Sequence, residues 1–243
     1  MGDLNRNLSV VVPCYNEAEN LPLIFQKFEE AVGERKDVEV VLVDNGSTDS
    51  SSEVFARELE RGNRSEMFSL IRVDKNQGYG YGILQGLNAA RGGVLGWTHA
   101  DLQTDPLDVV KAYDLFLAAN SSEVLVKGKR KKRRFFESLL TLGMQYFSGA
   151  VLGVYVEDIN AQPKIFHRCF FEEHVLPSAP YDFSLDLYLL LKAKRNGISF
   201  LELPVYFGKR LHGEAKGGGS WRTRYKVILR TIRFIFALRQ TGF

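Results

Sequence analysis

The stretch LSVVVPCYNE, residues Leu8–Glu17, and its echo EVVLVDNGSTD, residues Glu39–Asp49, decide the fold of this chain. Each opens with a run of β-branched and aliphatic residues and stops on polar ones. Between them Leu21, Ile24, Phe25, Phe28 and Val32 recur at the spacing that gives a helix one apolar stripe, and Gly33 ends the pattern. Asn16, with Glu19 three residues on, reads as the capping box of that helix. Strand, helix and strand at this spacing make the repeating unit of a parallel sheet, because parallel neighbours need a long crossover.

The alternation continues outward. Val38–Val43 is the second strand, and Ser47–Glu60 predicts a helix closed by Gly62. Phe68–Val73 is a third strand, Tyr79–Arg91 a helix, Val94–Thr98 a fourth strand, Pro106 the start of another helix, and Glu123–Val126 a further strand. Beyond residue 128 the rhythm weakens. Phe135–Leu152 predicts a helix, Lys164–Phe166 a strand, Phe183–Arg195 a helix and Phe200–Val205 a strand. Gly217–Gly219 reads as a loop and Tyr225–Leu238 as a closing amphipathic helix. No Pro- or Ser-rich linker interrupts the chain. The expectation is one α/β domain over residues 1–243 with a mainly parallel central sheet flanked by helices, 1–128 forming one half and 129–243 the other.

Bulk properties exclude several classes. With 243 residues, 45% hydrophobic and 25% charged, the chain can bury a large core, so disorder is not expected. Lys plus Arg exceed Asp plus Glu by only 32 to 29, and no nucleic-acid module motif is present, so no nucleic acid is expected as partner. Seven of the eight residues Lys127–Arg134 are basic, which predicts an anionic partner for the second half. Cys14 and Cys169 lie in apolar segments without zinc or disulfide spacing, as in a reducing compartment. The polar start lacks a signal core, and Val227–Leu238 is broken by Arg230 and Arg233, so no membrane span is predicted. The expected location is cytoplasmic, with peripheral attachment to an anionic membrane face left open. The closing helix offers three alternatives: lying on a bilayer, packing on the sheet, or pairing with a second copy in a homo-oligomer.

In an open α/β sheet ligands bind beyond the carboxyl ends of the strands. Those ends read Pro13-Cys14-Tyr15-Asn16-Glu17, Asp44-Asn45-Gly46-Ser47-Thr48-Asp49, Asp74-Lys75-Asn76-Gln77-Gly78 and His99-Ala100-Asp101-Leu102-Gln103. Asn16, Ser47 and Asp49 taken singly are ordinary caps, and the glycines at 78, 80 and 82 an ordinary turn. Acids and amides at every strand end exceed what capping requires. Without a Gly-Lys-Ser ending the glycine turn is not a Walker loop.

In this order the motifs resemble those of the family 2 glycosyltransferases of the GT-A fold, over nearly the whole chain. The resemblance implies that Pro13, Tyr15, Glu17 and Asp44 contact base and ribose, with Asn45 where many members carry a second Asp, and that Lys75 and Gly78 lie near the diphosphate. The family's Asp-x-Asp-x-Gln-x-x-Pro reads here as His99-Ala100-Asp101-Leu102-Gln103-Thr104-Asp105-Pro106. Asp101 and Gln103 are then candidate ligands of Mg or Mn. His99 replaces the first acid, either as a nitrogen ligand favouring Mn or as a hydrogen-bonding residue behind the metal.

Later segments resemble the polyprenyl-phosphate sugar transferases. Val126–Arg130 stands at their Gly-Ser-Arg, and Arg134 and Ser138 repeat their Arg and Ser. Glu157–Phe166 resembles their Asp-containing segment, Phe183–Leu187 their Phe-Asp-Val-Glu-Leu, and Arg210 with Lys216 their closing basic segment. A lipid phosphate is already ionised and needs cations, here Arg130, Arg134, Arg210 and Lys216, whereas a glycan hydroxyl needs a base, here Asp158. The expected function is metal-dependent, inverting transfer from a UDP- or GDP-linked sugar to a polyprenyl phosphate, with Asp101 and Asp158 as candidate catalytic residues. The rivals are a glycan-extending transferase and a nucleotide-sugar-binding scaffold without turnover.

Overall fold

A seven-stranded sheet organises the residues described by the computed structural model, which are 7–62, 64–131, 143, 146–208, 210 and 221–240. Strands β1 (Leu8–Cys14), β2 (Val38–Asp44), β3 (Phe68–Arg72), β4 (Val94–Trp97), β5 (Val124–Lys131), β6 (Lys164–His167) and β7 (Ser199–Tyr206) lie in the order β3-β2-β1-β4-β6-β5-β7. All neighbours are parallel except β6, which is antiparallel to both β4 and β5. The chain winds from β1 outward to β3 and then returns to lay β4 on the other side of β1. That reversal of strand order opens a crevice beyond the carboxyl ends of β1 and β4. Because β6 runs backwards, its first residue, Lys164, arrives at the same edge where its neighbours end.

The helices α1 (Leu21–Val32), α2 (Ser51–Leu59), α3 (Tyr79–Ala89), α4 (Pro106–Ala119), α5 (Leu185–Arg195) and α6 (Trp221–Gln240) cover both faces. The two-residue period of β1 sends Val10 and Val12 into a core with Ile24, Phe25 and Phe28 of α1 and Val109 and Tyr113 of α4. Val11 points the other way, into a core with Ile83 and Leu87 of α3, Leu189 and Leu190 of α5, and Ile235 and Leu238 of α6. Each such buried side chain contributes roughly 1.5–3 kcal/mol against solvent exposure.

Several sequence expectations are corrected. Helix α1 starts at Leu21, and Asn16 does not cap it: Asn16 has a left-handed backbone (φ 53°) and turns its side chain to the second strand's loop. Helix α2 starts at Ser51, four residues late, because Ser47–Ser50 form a turn on the Asp44 and Asp49 carboxylates. The strand expected over Glu123–Val126 runs on through the basic segment, since β5 stays paired with β7 as far as Lys131 and Tyr206. Cys169 is exposed, against the apolar setting expected for it, while Cys14 is buried. The expected helix over Phe135–Leu152 falls largely outside the described residues, although 146–152 are helical. Helix α6 buries Ile235 and Leu238 and exposes Arg230, Arg233 and Arg239. Among the described residues no helix is long and apolar enough to cross a membrane.

Helix α3 seats directly on β1 and β2. A Cβ at Gly86 would stand 2.4 Å from Val11 Cγ1 and 2.8 Å from Val43 Cγ2. Gly86→Ala is therefore expected to lose roughly 1–3 kcal/mol through overpacking, although alanine is the better helix former by about 1 kcal/mol. Urea denaturation measures this, and an unchanged or raised midpoint would contradict the seating of α3.

Candidate functional site

The first two strand ends are laced together by their own polar residues. The Asn16 backbone N–H donates to Ser47 Oγ at 3.0 Å, that of Glu17 to Ser51 Oγ at 3.1 Å and that of Ala18 to Asp49 Oδ2 at 3.3 Å. In return Asn16 Oδ1 accepts from the Thr48 backbone N–H at 2.7 Å. Asp44 is buried at the end of β2, with Oδ1 accepting from the Ser47 N–H and Oδ2 from the Ser52 hydroxyl. Glu17 is also buried and accepts from Asn20 Nδ2 at 2.6 Å. A carboxylate has about four acceptor positions, so both acids stay oriented with capacity for further donors. Pro13 and Tyr15 flank them, half-buried.

At the start of α3 the glycine turn packs against the backbone of residues 180–182. A Cβ at Gly78 would meet the Tyr181 carbonyl oxygen at 2.3 Å, and one at Gly80 the Pro180 carbonyl oxygen at 2.5 Å. The Tyr81 N–H donates to the Tyr181 carbonyl at 2.9 Å. These glycines admit the 180–182 backbone, which occupies a terminus that would otherwise draw an anion. Asn45 is buried beneath: its Nδ2 donates to the Gly78 carbonyl at 3.0 Å, while its Oδ1 has no hydrogen-bond partner among the described residues. Lys75 is exposed at the rim.

Behind the fourth strand end lies a group of polar residues to which the sequence reading assigned no role. Lys164 and Asp186 are both buried and form an ion pair, Gln162 Nε2 donates to the same Asp186 oxygen at 3.0 Å, and Lys164 also donates to the Ala161 carbonyl at 3.1 Å. The Tyr79 hydroxyl meets His99 Nε2 at 3.1 Å, and its ring stacks on Phe183 with centroids 4.8 Å apart. Burial, followed by the charge of Asp186, pushes the Tyr79 hydroxyl well above the usual tyrosine range. Burial holds the His99 imidazole below its ordinary value, against the opposing charges of Asp101 and Asp186. Burial likewise lowers the Lys164 ammonium while Asp186 supports it. The sequence signal was present: Lys164 precedes Ile165-Phe166, and Asp186 sits between Leu185 and Leu187, each a lone charge in an apolar run.

Toward solvent, acids and cations pair. Asp101 Oδ1 accepts from the Gln103 N–H at 3.1 Å, and Oδ2 accepts from Arg210 Nη2 at 2.6 Å. Gln103 directs its amide to the Gly208 carbonyl at 3.1 Å. Asp158, in a left-handed conformation (φ 47°), takes the Arg130 backbone N–H on Oδ2 and its guanidinium on Oδ1, both at 2.7 Å. Arg130 also stands over the Phe207 ring. Lys127 and Lys129 both reach Glu202, whose carboxyl burial would raise but these bonds bring below its ordinary value. Arg134, Ser138 and Lys216 lie outside the described residues.

Among the described residues no three His, Cys, Asp or Glu side chains gather to hold a metal on their own. The donor set fits an ion held jointly: hard cations such as Mg bind through one or two carboxylates and complete their shell with phosphate oxygens and water, and Asp101, whose Oδ2 now holds Arg210, would be that carboxylate. In this conformation Gln103 Nε2 bonds to the Gly208 carbonyl and the Nε2 of His99 faces the Tyr79 hydroxyl.

Comparison with known proteins identifies the family and the fold. The model of the family described as glycosyl transferase family 2 matches residues 9–172. Polyprenol monophosphomannose synthase of Mycolicibacterium smegmatis is 30% identical over 221 residues, covering 87% of this chain and 81% of its own length. Dolichol-phosphate mannosyltransferase of Pyrococcus furiosus is 28% identical over 240 residues, covering 95% and 63%. Five curated relatives are spanned over 44% to 81% of their lengths. A mannosyltransferase from Pyrobaculum calidifontis, solved with GDP-Man and Mn2+, superposes with a TM-score of 0.67 at 19% identity, covering 95% of this chain and 64% of that one. The fold is the GT-A fold.

Removing one partner of the buried pair leaves an uncompensated charge. Lys164→Met is expected to destabilise the protein by about 3–5 kcal/mol, and the double variant Lys164→Met with Asp186→Leu to recover most of that loss. Chemical denaturation of the single and double variants gives the coupling, and additive losses would show that the two residues do not act as a pair.

Proposed function

Because this chain belongs to glycosyl transferase family 2, we propose that it transfers a sugar from a UDP- or GDP-linked donor to a polyprenyl phosphate, with inversion at the anomeric carbon. The single observation that carries the choice of acceptor is the state of Asp158. A general base for a sugar hydroxyl needs an available carboxylate, but Asp158 is bound on both oxygens by Arg130. The edge beside Asp101 instead carries the guanidinium groups of Arg130 and Arg210, which suit the planar, bidentate recognition of a phosphate.

In this reading Glu17 and Asp44, held by their own loops, accept hydrogen bonds from base and ribose, and Tyr15 lies against the base. Asp101 anchors a divalent ion, Mg or Mn, which when bound neutralises the diphosphate as it leaves. Arg130 and Arg210 position the acceptor phosphate, and Asp158 is a positioning residue that orients Arg130. Residues 1–128 serve the donor and 129–243 the acceptor, within one domain. The outward face of α6, where Arg230, Arg233 and Arg239 are exposed beside Phe236, supports peripheral attachment to an anionic bilayer. The relatives' names support a lipid-phosphate acceptor, since they denote synthases and transferases of dolichol and polyprenol phosphates.

The test combines UDP- and GDP-hexoses with a soluble prenyl phosphate or a free glycan, with Mg or Mn present. Transfer to the prenyl phosphate is expected, with NMR of the product reading the inverted anomer. Asp101→Ala is expected to lower kcat on the order of a hundredfold or more, as for loss of a major electrostatic contact. Arg130→Ala and Asp158→Asn should raise the acceptor KM alike. Transfer to glycan hydroxyls that Asp158→Asn abolishes would favour the base reading, and nucleotide binding without turnover in any mixture would favour a scaffold.

A further inference from the structure

The two acid–arginine pairs at the carboxyl edge are built differently. Asp158 engages the backbone as well as the side chain of Arg130 and belongs to the end of β5. Asp101 gives Arg210 a single oxygen, Oδ2, because the Gln103 N–H already holds Oδ1. Arg210 is delivered by a separate clamp: the Gly208 N–H donates to the Gln103 carbonyl at 2.7 Å, and Gln103 Nε2 donates to the Gly208 carbonyl at 3.1 Å. That clamp ties Gly208, two residues before Arg210, to the segment that carries Asp101.

The charge balance at this point is unusual for a site that is to hold a divalent cation. The motif Asp-x-Asp offers two negative charges. Here His99 stands in place of the first acid, and Arg210 is paired with the second, Asp101. A cation approaching Asp101 alone meets a carboxylate oxygen already held by a guanidinium, and must take from it the oxygen it needs. A nucleoside diphosphate changes that balance by bringing negative charge of its own, to which a displaced guanidinium can turn.

We propose that Arg210 is an exchangeable cation: it neutralises Asp101 while the donor is absent, and passes to phosphate oxygens when a divalent ion and a nucleoside diphosphate bind together. This rests on the donor-and-metal reading above and goes beyond it, because it makes Arg210 a competitor of the ion at Asp101 before the donor arrives. Ion and nucleotide then bind with positive coupling, weakly one at a time and tightly together. The phosphate that receives the guanidinium is either the donor's or the acceptor's.

The opposite signs of these two roles make the test. Binding of MnCl2 to the full chain is followed by the electron paramagnetic resonance signal of free Mn2+, alone, with UDP or GDP, and then with farnesyl phosphate. Arg210→Ala and Arg210→Gln are expected to tighten Mn2+ binding in the absence of nucleotide by about fivefold or more, and to shrink the coupling between Mn2+ and nucleotide by a similar factor. Weaker UDP or GDP binding in these variants assigns the guanidinium to the donor phosphate. Weaker farnesyl phosphate binding with unchanged nucleotide binding assigns it to the acceptor. Arg210→Lys should fall between, because lysine keeps the charge without the fork. Variants that bind Mn2+ alone no better than wild type, with the coupling intact, overturn the proposal. Asp101→Ala separates the levels: if it binds Mn2+ and nucleotide like wild type, the metal reading itself fails, whatever Arg210 does.

Discussion

Burying Lys164 against Asp186 removes two full charges from water, at a penalty of several kcal/mol per ion that only good mutual geometry offsets. The fold supplies that geometry through two features. Strand β6 runs antiparallel between β4 and β5, so its first residue comes to the sheet edge where its neighbours finish. Helix α5 presents Asp186 in its first turn, where the peptide dipoles favour a negative charge. Gln162 adds a donor to the same carboxylate. Tyr79 and His99 sit against this pair, and Phe183, just ahead of α5, stacks on Tyr79. The wall behind the candidate site is thus a consequence of one ion pair and the reversed strand that permits it.

In front of that wall, among the described residues, acids and cations stand in pairs. Asp101 meets Arg210, Asp158 meets Arg130, and Glu202 meets Lys127 and Lys129.

The first two strand ends solve a different problem. Glu17 and Asp44 are held in place by the two loops, whose serines, threonine and amide fill one another's backbone donors. Residues that read as helix caps in the sequence are spent on this lacing instead. The same economy appears at Gly78 and Gly80, whose missing side chains make room for the backbone of residues 180–182.

The sequence alone was enough for the elements and their order. The 3.6-residue period of Leu21 to Val32 and the β-branched runs at Val10 and Val40 report local geometry, which side-chain spacing encodes directly. It also pointed to the strand ends as the place of chemistry, because polar residues cluster there beyond the needs of capping. It did not reveal that Asn16 bonds across to Thr48, that Lys127–Lys131 is strand, or that Lys164 pairs with Asp186, 22 residues away. Nor did it reveal that Arg210 reaches back 109 residues to Asp101. These depend on which strand lies beside which and in which direction. Register and pairing are settled by burial and charge compensation between distant segments, so only the tertiary structure decided them.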